Sequence, residues 1–286
     1  MTDATTPRPD TSPGFVRAIG RWDLTAAVIN GVIGSGIFGL PAVLAALTGV
    51  LSPLAALAAG GGILLIVLCF AEVGSRFREH GGVYLYARAA YGPLVGFEVG
   101  WLLIWTRLLS AAANLNLFVL YLGELWPELA IGAPRAIVMT ALVATIAVTN
   151  VVGVRSATWS IDAFTIAKLV PLALLIVLGL PQVDGEVIAT QTVADPDWTQ
   201  AVLVMMFAFG GFESALLPAG EMRDPKRDIG FALLVGLAVI ATVYLLVQLV
   251  VIGTVAHAGE TKAPLAQALG VLLGPPGVVL ASVAAM

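Results

Sequence analysis

Seven stretches of the chain, near residues 24–47, 51–74, 93–122, 134–152, 158–180, 200–220 and 229–256, are apolar for 18 residues or more. A helix rises ~1.5 Å per residue, so ~20 such residues cross the ~30 Å hydrocarbon core of a bilayer. A soluble domain could not cover so much apolar surface: 59% of the 286 residues are hydrophobic and 11% charged, with a mean hydropathy of +0.98. The expected fold class is all-α, a polytopic helical membrane protein.

Residues 1–22 are polar and proline-containing, without the apolar core or cleavage site of a secretory signal. They read as a short disordered cytoplasmic tail, and residues 23–286 as the transmembrane domain. Lys and Arg set the orientation. With the N-terminus in the cytoplasm, Arg8, Arg17, Arg21, Arg76, Arg78, Arg88, Arg155, Arg223, Lys226 and Arg227 fall inside, and only Arg135 and Lys262 outside. That positive-inside bias suits a multi-pass protein of the cell (inner or plasma) membrane. The longest outer connection, PQVDGEVIATQTVADPDW, carries four acidic residues and no basic one. Beyond residue 256 a short surface helix is expected over 264–273. Pro275-Pro276 then opens an eighth span with about ten residues before Met286, half of what a span requires, so the chain reads as truncated within it.

The first and sixth spans carry glycines near mid-membrane, in GVIGSGIFGLPA from Gly31 and FAFGGFESALLPAG from Phe207. Close helix packing, or a simple packing kink, is one use of such glycines. Each cluster, however, also holds a polar residue at depth, Ser35 or Glu213, and each is followed by Leu-Pro-Ala, at Leu40-Pro41-Ala42 and Leu217-Pro218-Ala219. Non-helical backbone is tolerated within a membrane only where protein buries it or it lines a cavity. The pattern therefore predicts two helices that unwind and turn N–H and C=O groups toward a solute. A half-helix that starts after a break offers its positive end to a carboxylate, while the carbonyls that end the preceding half suit an ammonium. Two such breaks together can hold a zwitterion.

Three long motifs in order, GVIGSGIFGLPA, FAEVGSRFREHGGVYLYARAAYGP and FAFGGFESALLPAGEMRDPKRDIG, carry a family resemblance. They are similar to the first helix, the loop between the second and third helices, and the sixth helix with its following loop in the amino acid-polyamine-organocation (APC) superfamily of permeases. The similarity extends from Asp23 to Met286. It implies a five-plus-five inverted-repeat transporter fold with helices 1 and 6 broken, incomplete here because helices nine to twelve and most of helix eight are lacking. Contacts that helices eight and ten supply in the family are then absent. The resemblance places the backbone of Ile33, Gly34, Ser35 and Gly36 around a substrate carboxylate, with the Ser35 hydroxyl as an added donor. It gives the carbonyls of Phe209, Gly210 and Gly211 to the amino group. Phe207 stands at the position of the family's gating aromatic, where it either covers the solute or simply fills the core.

An ionised Glu213 facing lipid would cost ~2.5–3.5 kcal/mol or more, so it must face the interior. There it takes up a proton, contacts substrate, couples its helix to neighbours, or makes a purely structural hydrogen bond. Lys168, in TIAKLVPLALLIVL, sits about ten residues into the fifth span, too deep for easy snorkelling. The resemblance implies that a fifth-helix lysine occupies the place where sodium-coupled members of the fold bind a cation. Proton exchange by its ammonium competes with a static structural role. Arg107 must also face the interior, with Glu213 or Glu98 as candidate partners, and Asn114 and Asn116 follow it on the same helix. Glu72 and Arg76 are candidates for pairing with the loop EMRDPKRDIG at an inner gate.

These residues predict secondary active transport of amino acids by alternating access, coupled to protons, with exchange or sodium coupling as the alternatives. A membrane-embedded enzyme is disfavoured, because the only histidines are His80 and His257 and no metal-ligand or Ser-His-Asp spacing can be assembled. A channel is disfavoured because offset breaks suit an occluded midplane site. The expected partners are an amino acid, protons and the lipid bilayer. No cofactor, metal or nucleic acid is expected.

Overall fold

The computed structural model describes residues 19–77, 81–152, 157–216, 222 and 224–286. Leu217-Pro218-Ala219, His80 and the basic residues Arg8, Arg17, Arg78, Arg155 and Arg223 lie outside them. Apart from an isolated bridge between Ile19 and Met222, the described chain is helical with no sheet.

The first apolar stretch is divided into α1 (Arg21–Val32) and α2 (Gly36–Thr48), and the second is α3 (Ser52–Gly74). The connection read as a loop from sequence contains α4 (Gly82–Tyr91), which packs on α5 (Pro93–Leu125). Next come α6 (Gly132–Val152) and α7 (Ala157–Gly179). The acidic connection after α7 carries the short α8 (Gly185–Ala189). The sixth stretch is helical only as α9 (Trp198–Ala208), followed by a 3-10 segment, Phe212–Leu216. Finally α10 (Pro225–Thr254), α11 (Pro264–Leu273) and α12 (Pro275–Ala285) complete the chain.

Among the described residues, four helical stretches are long and apolar enough to cross a membrane: Gly36–Gly74, Pro93–Leu125, Gly132–Thr149 and Arg227–Thr254. The seven apolar stretches of the sequence do not yield seven unbroken helices, because the first and sixth are interrupted. Proline marks where helices begin. It occupies the first turn of α3, α5, α10, α11 and α12, where its missing N–H has no intrahelical partner to lose and its φ already suits a helix.

The centre of the bundle is α10, which packs against α1, α3, α7 and α11. Half of its apolar window is buried (50%), whereas none of that of α6 is (0%). Buried amides tie this centre to neighbouring helices and connections. The Gln248 side chain of α10 donates to the Pro41 carbonyl at 3.2 Å and to Ser52 Oγ at 2.8 Å, joining α10 to α2 and α3. Gln191, on the acidic connection after α8, donates to the carbonyls of Ile252 (3.2 Å) and Val255 (2.7 Å) and accepts from the Ala258 N–H (3.0 Å). Its own carbonyl accepts from the Val50 N–H at 2.9 Å. Each pairing satisfies a polar group that burial would otherwise penalise.

Gly49 makes that last contact possible. Its φ is +54°, and a Cβ built there would lie 2.2 Å from the Gln191 carbonyl oxygen. Gly61, in the interior of α3, has no atom within 4 Å of such a Cβ. Gly49→Ala should therefore destabilise the folded protein by ~1–3 kcal/mol, while Gly61→Ala should leave it unchanged or raise it by up to ~1 kcal/mol. Thermal unfolding in detergent tests the pair; equal midpoints for the two variants would contradict the packing described.

Candidate functional site

The helical ladder of α1 stops at Val32 and resumes at Gly36. Ile33, with φ −69° and ψ 85°, turns the chain out of the helix. Its N–H still donates to Ile29 O (2.9 Å), and that of Gly34 reaches back to Val32 O (2.7 Å). Glycines weaken the helix here, and Pro41 inside α2 supplies no N–H to the turn below it. The Ser35 hydroxyl donates to Asn114 Oδ1 of α5, so the interruption is held from the side.

The second interruption follows α9. The Phe209 N–H donates to Met205 O (3.3 Å) and that of Gly210 to Phe207 O (3.0 Å), and the backbone then turns at Gly211, whose φ is +114°. A Cβ at Gly211 would lie 2.5 Å from the Gly31 carbonyl oxygen, so the two interruptions meet backbone to backbone. Only glycine permits that approach.

Tyr244 of α10 joins them a second time. Its buried hydroxyl lies 3.2 Å from Val32 O and 2.9 Å from Ala208 O, sharing its proton between the carbonyls that end α1 and α9. Its ring packs 5.1 Å from that of Phe209. Tyr244 was not singled out from sequence. The available signal was its phenol in the apolar run VYLLVQLV, one helical turn before the amide of Gln248.

A cavity of about 720 Å³ opens where the interruptions meet. Gly34, Ser35 and Gly36 line it from one side, and Phe207, Gly210, Gly211 and Glu213 from the other. Arg107, Ser110 and Asn114 of α5 form a third wall. Ile33 and Phe209 are buried behind the lining, each 1% exposed. Lys168 reaches the same region from α7, where its Nζ donates to Asn30 O at 2.7 Å. It is not part of the cavity lining and holds the end of α1 from behind.

Glu213 links several of these parts. One carboxylate oxygen accepts from Arg107 Nη2 at 3.0 Å, and the other accepts from the Gly211 N–H at 2.8 Å. Of the two partners considered for Arg107, Glu213 is the one it meets. A second cavity, of about 420 Å³, extends toward Gly81 and Val83 and shares only Arg107 and Glu213 with the first. The ion pair therefore borders both cavities. Glu72 and Arg76 pair with each other across one turn at the end of α3.

Removing one hydroxyl isolates the contribution of Tyr244. Tyr244→Phe keeps the ring but takes the hydroxyl donor from Ala208 O and the second of two donors from Val32 O, which still accepts from the Gly34 N–H, and should lower stability by ~1–3 kcal/mol. A thermal unfolding midpoint equal to wild type would show that these carbonyls do not depend on it.

Residues 19–286 match the family described as amino acid permease. The serine/threonine exchanger SteT of Bacillus subtilis is 30% identical over 243 residues, covering 82% of this chain and 54% of that protein. A putative arginine/ornithine antiporter of Escherichia coli K12 is 31% identical over 290 residues, covering 92% of this chain and 61% of that protein. The chloroplastic cationic amino acid transporter 9 of Arabidopsis thaliana is 28% identical over 285 residues, with coverages of 91% and 50%. The chain thus spans about half to three-fifths of the length of these relatives. A match over nearly the whole chain, which includes both interruptions and the α5 wall, assigns the family: the chain belongs to the amino acid permeases.

Proposed function

We propose that this chain forms the substrate-binding part of a secondary amino acid transporter that works by alternating access and exchanges one amino acid for another. The observation that carries the reading is the meeting of two interrupted helices at one cavity. At one wall α2 begins, so the positive end of its dipole and the first-turn N–H groups near Gly34, Ser35 and Gly36 suit a carboxylate. Ile33 supports that turn from behind. Across the cavity, the non-helical backbone at Phe209, Gly210 and Gly211 offers carbonyls to an ammonium. The half-exposed Phe207 ring covers the bound zwitterion.

In this reading the Arg107–Glu213 ion pair, which borders both cavities, supplies one of the two barriers that alternating access requires. Because Glu213 also holds the Gly211 N–H, movement at the second interruption and opening of the ion pair are linked in this reading. Exchange is preferred to uptake driven by an ion because two of the relatives above are an exchanger and an antiporter by name. Proton-coupled uptake is the second reading, favoured by the Lys168 ammonium at the Asn30 carbonyl. That ammonium occupies the end of α1 with its own charge and disfavours sodium there. In both readings helices 1 and 6 are the broken helices of an inverted repeat and the N-terminus is cytoplasmic.

Proteoliposomes test this directly. Labelled amino acid should enter quickly only when unlabelled amino acid is loaded inside, and imposed pH or sodium gradients should change little. Dependence on a pH gradient that is lost in Lys168→Ala would establish the proton-coupled reading instead; following sodium would contradict both. Gly34→Leu provides the site test. A Cβ at Gly34 has only Val32 O nearby, at 3.8 Å, and Gly34 lines the cavity, so a leucine there is expected to take up space that the carboxylate needs. Uptake should fall to background with the unfolding midpoint retained. Wild-type uptake by this variant would contradict the site.

A further inference from the structure

The ionisable side chains that line the large cavity are Arg107, Glu213 and Lys262, two cations and one carboxylate. Those that line the adjoining cavity are Arg107 and Glu213 again. Both oxygens of Glu213 are engaged, one by Arg107 at 3.0 Å and the other by the Gly211 N–H at 2.8 Å. Among the described residues no other carboxylate faces either cavity. The remaining polar groups on the α5 wall are uncharged. Thr106 donates its hydroxyl to Leu102 O at 2.9 Å, Asn114 accepts from Ser35, and Ser110 adds a further hydroxyl.

A cationic side chain entering this space finds no unengaged counter-charge among the described residues. Arg107 stands on the wall, Lys262 is a second cation on the lining, and Glu213 could be recruited only by displacing Arg107. The displaced guanidinium would be left beside the newcomer, with one carboxylate between two cations. An uncharged side chain meets hydroxyl, amide and apolar groups and leaves the ion pair intact.

We infer that this site, on the reading given above, takes amino acids with uncharged side chains and rejects arginine, lysine and ornithine, and that Arg107 sets this preference by neutralising Glu213. Specificity here arises from a repulsive element placed against the wrong substrate. Arg107 is a specificity-determining residue, and Glu213 is the latent cation site that it masks.

The test is ligand-induced thermal stabilisation of the purified full chain in detergent, titrated with each of the twenty proteinogenic amino acids and with ornithine. Wild type should be half-maximally stabilised by at least one uncharged amino acid at a concentration at least ~10-fold below that for any cationic one. In Arg107→Ala, which removes the repulsion and exposes Glu213, that ratio should fall at least ~10-fold. Glu213→Gln is the second variant; with no carboxylate on the lining, it should show no gain in response to cationic amino acids. Wild type that responds equally or better to arginine, lysine or ornithine overturns the inference, as does an unchanged ratio in Arg107→Ala that folds. Should Arg107→Ala fail to fold, the wild-type ratio and the Glu213→Gln response decide. Absence of stabilisation by every amino acid would instead overturn the amino acid site itself, and the selectivity with it.

Discussion

A carbonyl or amide without a partner inside hydrocarbon costs several kcal/mol, so a helix can stop mid-membrane only if something else accepts or donates in place of the lost turn. At the end of α1 and the end of α9 one such group is the same atom, the hydroxyl of Tyr244, which joins the Gly34 N–H on Val32 O and donates to Ala208 O. Because Tyr244 belongs to α10, the most buried of the four long apolar stretches, both interruptions are referred to the rigid centre of the bundle. Gly211 then brings the second interruption against the Gly31 carbonyl, and the cavity is what remains on the open side of that contact. The site thus depends on a backbone requirement before it depends on any charged side chain.

Charge enters from α5. Arg107 and Glu213 lie at the one place shared by the two cavities, and Glu213 also accepts from the backbone of the interruption that precedes it. An ion pair in this position engages the one carboxylate that lines either cavity among the described residues. Lys168 contributes from the opposite side, where its ammonium caps the Asn30 carbonyl near the end of α1. Backbone carbonyls at the ends of two helices are therefore held by one phenol and one ammonium, both delivered by neighbouring helices.

The sequence made the interruptions visible because glycine clusters within apolar runs have few physical uses in a bilayer. It also placed Ser35, Glu213, Lys168 and Arg107 at depth, where a polar side chain must face protein. Partners were another matter. Which carboxylate Arg107 meets depends on how α5 packs beside the second interruption, 106 residues later in the chain. Spacing within one helix carries no such information. Tyr244 escaped notice because a phenol in an apolar helix is common, and only the carbonyls it reaches give it meaning. The helix α4 was hidden inside a motif read as a loop, although VYLYARAAY contains apolar and aromatic residues at helical spacing. Conversely, Glu72 and Arg76, at i and i+4 near the end of α3, satisfy each other along one helix face, a pairing available from spacing alone.

The central claim is that the space between the two interruptions receives an amino acid. Cysteine protection tests it most directly, since Cys69 is the chain's single cysteine and can be replaced by serine. Ser35→Cys in that background would be modified with a water-soluble methanethiosulfonate, with and without amino acids that stabilise the protein. Glu186→Cys, at an exposed position on α8, serves as the control. The account predicts that bound amino acid slows modification at position 35 several-fold and leaves position 186 unaffected. Equal rates at position 35 with and without ligand, for a protein that demonstrably binds it, would place the amino acid elsewhere and contradict the account.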